Sequence, residues 1–330
     1  MTAALLTSSR GRGSGLRPVN PARDLVAIAD LIEMAFSQRM DSSSRRMVRE
    51  MRTLGRLGAF GALAARFLLP PAASPQGFVW EEEGRVVGNA SLLPVRGLPE
   101  RWVLANVAVH PDYRRRGIGK RLTEACIDLA CSKGARILLL QVDRDNTHAQ
   151  VMYAAMGFRP IATRTTWMGP AVRPPASWLG APEVRPRRDE DWQTQASLAR
   201  RVYPEGLIFP YPLTAASFQP HKLLGVLRLE NQRHWVGLHH GRLAGSITVR
   251  PGLDPEVRRV ILIVDPEARG EMEGWLLARA MDHYQGKGIY FEFDYPAGFG
   301  EAIFGALGFH PRRTLTWMRM DLPAGGKDER

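Results

Sequence analysis

Three short segments recur in the same order along this 330-residue chain, and that repetition constrains the fold more than any single motif. Gly84-Arg85-Val86-Val87-Gly88 matches Gly241-Arg242-Leu243-Ala244-Gly245, each inside an apolar hairpin (Phe78–Val95 and His234–Val249). Val107-Ala108-Val109-His110-Pro111 matches Leu262-Ile263-Val264-Asp265-Pro266. Met156-Gly157-Phe158-Arg159-Pro160 matches Leu307-Gly308-Phe309-His310-Pro311, and the two stretches run on into Thr166-Trp167-Met168 and Thr316-Trp317-Met318. One such match arises easily by chance. Three in register mark a diverged duplication.

The pattern within a copy is mixed. In the first copy a short strand, Gly15–Val19, leads to helices at Pro21–Phe36 and Ser42–Leu69. A hairpin follows, turning at Glu83-Gly84. Next come a β-branched strand, Trp102–Val109, a helix over Gly117–Lys133, and a strand at Arg136–Val142 whose continuous apolar run reads as buried. A helix at Thr147–Met156 and a strand at Ile161–Met168 close the copy. The expected fold class is α/β, in an α+β three-layer arrangement: two tandem domains, each a mixed central sheet flanked by helices. The prolines of Gly169–Arg188 read as a stiff linker. The expected division is a tail at 1–14, a first domain at 15–170, a linker at 171–187, a second domain at 188–323 and a tail at 324–330.

Charge narrows the function less than its size implies. The net charge is +12, and 40 of the 45 basic residues are arginine. A basic surplus attracts anions such as nucleic acid, acidic lipid or a polyphosphate. Here the arginines are scattered, without the aromatic-interleaved basic run of a nucleic-acid reader, so no nucleic-acid partner is expected. No stretch approaches the ~20 apolar residues of a membrane span. Residues 1–15 lack an apolar core long enough for a secretory signal. The expectation is a cytoplasmic protein with no membrane partner. Cys126 and Cys131 lie five apart on a predicted helix, a poor geometry for a disulfide.

The sharpest local signal is Val107-x-Val109-x-Pro111-x-x-Arg114-Arg115-Arg116-Gly117-Ile118-Gly119-Lys120. A strand ends, a proline turns the chain, and a helix begins at the glycines. A helix N-terminus offers unpaired N–H groups and a positive dipole end. Glycine lets backbone approach a ligand closely. With three arginines beside it, the segment makes an anion cradle suited to a pyrophosphate. It lacks the Gly-Lys-Ser/Thr ending of a P-loop and the third glycine of a dinucleotide fingerprint.

This segment resembles motif A of the GNAT acetyltransferase superfamily. Asp145-Asn146-x-x-Ala149-x-x-Met152-Tyr153-x-x-Met156-Gly157-Phe158 resembles its motif B. The resemblance covers about Leu16–Met168. It implies acetyl-CoA as cosubstrate, no metal, and a primary amine on a small molecule or peptide as acceptor. It places Val107, Ala108 and Val109 beside the pantetheine arm, on a strand that bulges and frees backbone N–H groups for the thioester carbonyl. Arg114, Arg115, Arg116, Gly117, Ile118, Gly119 and Lys120 hold the pyrophosphate. Asn146 bonds the pantetheine, and Tyr153 protonates the leaving thiolate. From the residues alone, Asn146 also reads as a helix N-cap and Tyr153 as a packed amphipathic tyrosine.

Two departures matter. Ribosomal-protein N-terminal acetyltransferases of this family carry a glutamate base five residues before the Asn, and here that residue is Gln141, which cannot accept the ammonium proton. Glu81, Glu82, His110 or water are the other base candidates, although Glu81–Glu83 reads as a solvated hairpin tip and His110 as a loop residue. In the second copy, Glu271 and Met272 replace Arg116 and Gly117, so that copy is expected to keep the fold and lose the cofactor. A non-catalytic CoA-responsive module is the alternative of a different class. The tandem layout also resembles mycothiol synthase, although there the better-preserved loop lies in the C-terminal copy. Two fused copies mimic a dimer, so a monomer is one expectation for the oligomeric state.

Overall fold

A computed structural model describes residues 14–36, 40, 42–58, 60, 76–95, 97–180, 183–203, 206–208, 211–212, 215–219, 232–252 and 254–323. Its elements, in chain order, are β1 (Gly15–Pro18), α1 (Pro21–Phe36), α2 (Ser42–Arg56), β2 (Gly77–Glu82), β3 (Arg85–Val95), β4 (Leu98–Val109), α3 (Ile118–Ser132), β5 (Ile137–Asp143), α4 (Thr147–Ala155) and β6 (Arg159–Pro170). There follow β7 (Val184–Pro186), α5 (Trp192–Val202), β8 (Leu207–Ile208), β9 (Tyr211–Pro212), β10 (Arg233–His239), β11 (Arg242–Pro251), β12 (Val257–Val264), α6 (Glu271–Tyr284), β13 (Tyr290–Pro296), α7 (Glu301–Ala306) and β14 (His310–Asp321). The mixed α/β class read from the sequence is the class observed. Helix α2 ends at Arg56, and residues 61–69 of the helix expected over Ser42–Leu69 lie outside the described residues. By density of contacts the chain divides into one unit at Met1–Val95, Pro99–Leu140 and Arg319–Arg330 and another at Arg96–Leu98 and Gln141–Met318.

In the first unit the strands run β1-β2-β3-β4-β5. β1 and β2 are antiparallel, from Gly15↔Glu81 to Pro18↔Phe78. β2 and β3 form the predicted hairpin, turning at Glu83 (φ 50°) and Gly84 (φ 83°). β4 and β5 are parallel from Arg101↔Ile137 to Leu104↔Leu140, a pairing that requires a crossover, and α3 supplies it. Side chains alternate faces along a strand, and β3 uses that alternation to serve two layers. Gly88 faces α3 so closely that a Cβ there would lie 2.9 Å from Ile118 Cγ2. The opposite face, with Val79, is covered by Leu25, Ile28, Ala29 and Ile32 of α1 and by Val48 and Met51 of α2.

A buried ion cluster ties α1 to the β1–β2 edge. Asp24, fully buried, accepts from Arg17 Nη1 and Nη2 at 2.6 and 2.8 Å and from the Asn20 N–H at 2.7 Å. Arg17 Nε reaches Glu81 at 2.6 Å, and Arg23 reaches the other oxygen of Glu81 at 2.8 Å. Glu81 is therefore buried and doubly paired, which corrects the solvated-tip reading of that residue. A register shift between Trp80 and Glu81 accompanies this inward placement.

In the second unit the order is β14-β6-β13-β12-β11-β10-β7. β6 pairs antiparallel with β13, from Tyr290↔Pro170 to Pro296↔Arg164. Its other edge meets β14, where Thr165 and Thr314 hydroxyls lie 2.9 Å apart. The core is aromatic: Trp167, Phe293, Tyr295 and Phe309 surround Phe304 or one another edge to face at ring separations of 5.1–5.3 Å. The proline-rich stretch is structured. Within it β7 pairs with β10, from Trp235↔Pro186 to Gly237↔Val184. Trp178 packs where a Cβ on Gly274 would come within 2.1 Å of its ring.

Replacing Arg17 by Met would strand the buried Asp24 carboxylate. The expected cost is about 3 kcal/mol, read as a lowered urea midpoint at neutral pH. The Arg17 and Arg23 hydrogen bonds hold the Glu81 carboxyl below its ordinary value. Its contribution is thus fully present above the ordinary glutamate range, roughly pH 4–5, and is lost as pH falls through the depressed folded value. The wild type should lose stability over that acid range, and the Arg17→Met variant should lose less.

Candidate active site

The site grows out of the end of β4. Val103, Leu104 and Ala108 are buried, and Val107 and Val109 half-buried, as an apolar β-branched strand between two layers requires. Asn106 breaks the regularity with φ 53°, the left-handed region in which asparagine is the usual non-glycine residue. Such a residue departs from regular strand geometry. Its carbonyl accepts from Asn89 Nδ2 at 2.9 Å. The sequence reading expected a bulge on this strand and singled out neither Asn106 nor Asn89.

Beyond β4 the chain turns sharply. The His110 N–H donates to the Val87 carbonyl at 2.8 Å, and Pro111–Tyr113 form one turn of 3-10 helix. Arg115 (φ 62°) and Gly117 (φ 77°) are both left-handed and flank Arg116. That reversal delivers the chain into α3, whose first closing bond is Arg121 N–H to the Gly117 carbonyl at 3.1 Å. The N–H groups of Ile118, Gly119 and Lys120 precede that bond and have no partner within the helix. Ile118, 3% exposed, and the fully buried Leu122 and Cys126 anchor the helix.

The arginines stand clear. Arg114, Arg115 and Arg116 are exposed. Arg114 Nε donates to the Val109 carbonyl at 3.2 Å, and Arg116 Nη2 to the Asp112 carbonyl at 3.0 Å. The Arg116 guanidinium also lies 4.8 Å from the Tyr113 ring centre. Among the described residues no carboxylate pairs with any of the three. Lys120 lies 3.7 Å from Glu124 on the exposed side of the helix. The first unit thus brings together Val107–Val109 and Arg114–Lys120, with fixed positive groups and free backbone donors around one turn. That arrangement suits a compact polyanion.

Other first-unit candidates are less free. Glu81 is locked by Arg17 and Arg23, and those same bonds lower its proton affinity, which makes it a poor base. His110 Nδ1 accepts from the Asp112 N–H at 3.4 Å. Its ring lines a cleft of about 380 Å³ with Arg23, Asp30, Met34 and Arg85. Burial pushes the Cys126 thiol up to about 12, so it offers no thiolate nucleophile at neutral pH.

The motif B residues lie in the second unit. Asn146 caps α4: its Oδ1 accepts the Ala149 N–H at 3.1 Å, leaving the amide nitrogen exposed at the helix start. Gln150 Nε2 donates to the carbonyls of Asp143 and Arg144 at 3.0 and 2.8 Å and fixes the preceding loop. Tyr153 is 6% exposed, with its ring edge-on to Phe158 at 5.8 Å. Gln141 is half-buried on β5.

In the repeat of the loop, the second copy fills its own cradle. Glu273, 1% exposed, accepts the Gly270 N–H at 2.8 Å and the Tyr295 hydroxyl at 2.6 Å. A carboxylate of the chain thus occupies the helix N-terminus, where an external anion would dock. Met272 is 1% exposed and fills the space left by Gly237 and Gly245. Trp178 covers Gly274. The sequence reading placed the obstruction at Glu271 and Met272; Met272 is part of it, and Glu273 is the carboxylate that enters.

Comparisons with known proteins bear on the family and the fold. Residues 46–158 match the model of the acetyltransferase (GNAT) family. The ribosomal protein bS18-alanine N-acetyltransferase of Escherichia coli K12 is 38% identical over 64 residues, 19% of this chain and 43% of that protein. N-alpha-acetyltransferase 30 of Schizosaccharomyces pombe is 35% identical over 63 residues, 19% of this chain and 42% of that protein. The chain therefore spans less than half the length of these curated relatives. In fold it is similar to a GCN5-related N-acetyltransferase from Sphaerobacter thermophilus, with a TM-score of 0.63 at 16% identity over 94% of this chain and 96% of that one. It is also similar to a tandem GNAT protein from the clavulanic acid biosynthesis pathway, with a TM-score of 0.55 at 22% identity over 96% and 100% of the two chains.

Two outcomes follow from the cradle. Calorimetry should find one acetyl-CoA per chain, and a second site of comparable affinity would contradict the filled second cradle. Gly117→Ala forces a side chain into a left-handed position, worth about 1–2 kcal/mol. It should weaken acetyl-CoA binding roughly tenfold, because 1.4 kcal/mol is a factor of ten.

Proposed function

The chain belongs, through residues 46–158, to the GNAT acetyltransferase family, and on that premise we propose that it transfers an acetyl group from acetyl-CoA to a primary amine by direct attack. The observation that carries this reading is the turn at Arg114–Lys120: three arginines without carboxylate partners beside unpaired helix N–H groups. Coenzyme A presents a pyrophosphate, which matches that set of donors. The acceptor is an amine on a small molecule or a peptide.

In this reading the amine nitrogen attacks the thioester carbonyl carbon. The carbonyl oxygen takes up the electron pair as an oxyanion and is met by backbone N–H groups of Val107–Val109. The oxyanion collapses, the C–S bond breaks, and the thiolate takes the proton of the Tyr153 hydroxyl. The attacking nitrogen releases its surplus proton to water. Juxtaposing the two reactants supplies much of the acceleration. Asn146 offers its amide N–H to the pantetheine while its oxygen caps α4.

A second reading is favoured by Gln141, which stands where related ribosomal-protein acetyltransferases carry a carboxylate, and by the locked state of Glu81. It is a CoA-responsive binding module without turnover.

The experiment is amine-dependent CoA release from acetyl-CoA over a mixed amine panel, for wild type and Tyr153→Phe. The enzyme reading expects turnover, with kcat lowered about a hundredfold in the variant and acetyl-CoA affinity unchanged. Tight binding with no turnover on any amine would favour the module. Failure to bind acetyl-CoA would end both readings.

A further inference from the structure

Asn89 is a polar side chain in a place that calls for an apolar one. It is fully buried in the middle of β3, beside Val79 and beneath α1. Its Oδ1 has no partner among the described residues. Its Nδ2 donates to the Asn106 carbonyl at 2.9 Å and lies 3.4 Å from Ser91 Oγ, and Asn106 Nδ2 lies 3.5 Å from the same hydroxyl. A half-satisfied buried amide is unfavourable for folding alone. What it holds is the left-handed Asn106, immediately before Val107–Val109 on β4.

The second copy serves as an internal control. Both copies end the β-ladder alike: His110 N–H bonds the Val87 carbonyl, and Asp265 N–H bonds the Ala244 carbonyl. From that shared point the partners differ. Ser246 stands for Asn89 and Ile261 for Asn106. Ser246 is too short to reach across, and Ile261 is β-branched and avoids positive φ. There β11 and β12 pair without interruption from Gly245↔Val264 to Pro251↔Arg258. None of the described residues of β12 has a positive φ. The copy with the open cradle has the asparagine pair and the left-handed residue; among the described residues the copy whose cradle is filled has neither.

We propose that Asn89 is a positioning residue that sets the β4 bulge through the Asn106 carbonyl and so aims the Val107–Val109 N–H groups at the acetyl carbonyl. This rests on the acetyltransferase reading above. In a regular ladder the Asn106 carbonyl and its neighbouring N–H groups would be spent on strand pairing. Turning the carbonyl into the Asn89 amide keeps residue 106 left-handed and the following donors displaced from the ladder. The pyrophosphate turn is held by its own backbone bonds, so carbonyl recognition and phosphate binding separate.

The test uses the full chain with Asn89→Ala, Asn106→Gly and the double variant. Asn89→Ala should lower kcat about tenfold to a hundredfold, with acetyl-CoA affinity within about twofold of wild type, given the single-residue scale of such effects. Glycine adopts positive φ without a holding bond. Asn106→Gly should therefore stay near wild type, and the double variant should recover most of the rate lost in Asn89→Ala. A loss caused only by poorer folding would not be rescued by an added glycine. Backbone amide shifts provide a readout without turnover. On adding acetyl-CoA, Val107–Val109 should respond in wild type and not in Asn89→Ala, while Arg115–Lys120 respond in both. If wild type binds acetyl-CoA and Asn89→Ala matches it in rate and amide response, or if the double variant is no better than the single, the positioning role is overturned. If wild type binds no acetyl-CoA, the acetyltransferase reading itself falls, and this inference falls with it.

Discussion

Backbone hydrogen-bond donors that the chain leaves unspent are the constraint on which this molecule turns. A helix cannot satisfy its first N–H groups internally, and a bulged strand cannot satisfy its own in the ladder. In the first unit the left-handed Asn106 and the open helix start at Ile118–Lys120 lie within a stretch of fifteen residues. Three left-handed residues, Asn106, Arg115 and Gly117, steer the chain through that passage. The surrounding layers hold it still: Ile118 and Leu122 pack over Gly88 on one face, while α1 and α2 cover the other.

The two copies show what happens when the same topology spends those donors on itself. The second keeps the strand, the proline turn and the helix. It then assigns Glu273 to its helix N-terminus and ties that carboxylate to Tyr295. Desolvation and the neighbouring carboxylate hold the Tyr295 hydroxyl protonated far above its ordinary range. Met272 and Trp178 complete the seal. A packed, self-satisfied helix end is structurally stronger than an open one and has no vacancy for an anion. In the second copy the corresponding turn is part of the core.

Charge placement separates structural from available groups in the first unit. Arg17 and Arg23 are consumed by Asp24 and Glu81, and Arg52 by Asp30 and Glu33. Arg114 and Arg116 bond carbonyls, Arg116 also faces an aromatic ring, and among the described residues no carboxylate pairs with Arg114, Arg115 or Arg116, so their charge remains for a ligand. The buried pairs also remove Glu81 from the list of bases, since a carboxylate clasped by two guanidinium groups resists protonation.

Much was legible in the sequence, because local patterns carry local structure. The hairpin turning at Glu83-Gly84, the proline and glycines around Arg114–Lys120, and the helices expected over Pro21–Phe36 and Gly117–Lys133 lie within a few residues of the observed elements. The pairing of distant segments was not. A strand's period says which face is buried but not which strand lies beside it. The stretch Arg159–Pro170, which reads as the close of the first copy, lies between β14 and β13. The proline-rich stretch that reads as a spacer contributes β7 and Trp178 to a core. Glu81 looked solvated because its partners, Arg17 and Arg23, are some sixty residues away. Asn89 and Asn106 carried no local signal at all, since what matters about them is a bond across two strands. By itself the sequence determined the duplicated α/β plan and the arginine- and glycine-rich turn, which depend on residue type and spacing. Only the tertiary structure decided which donors stay free, because that depends on what each one meets across the fold.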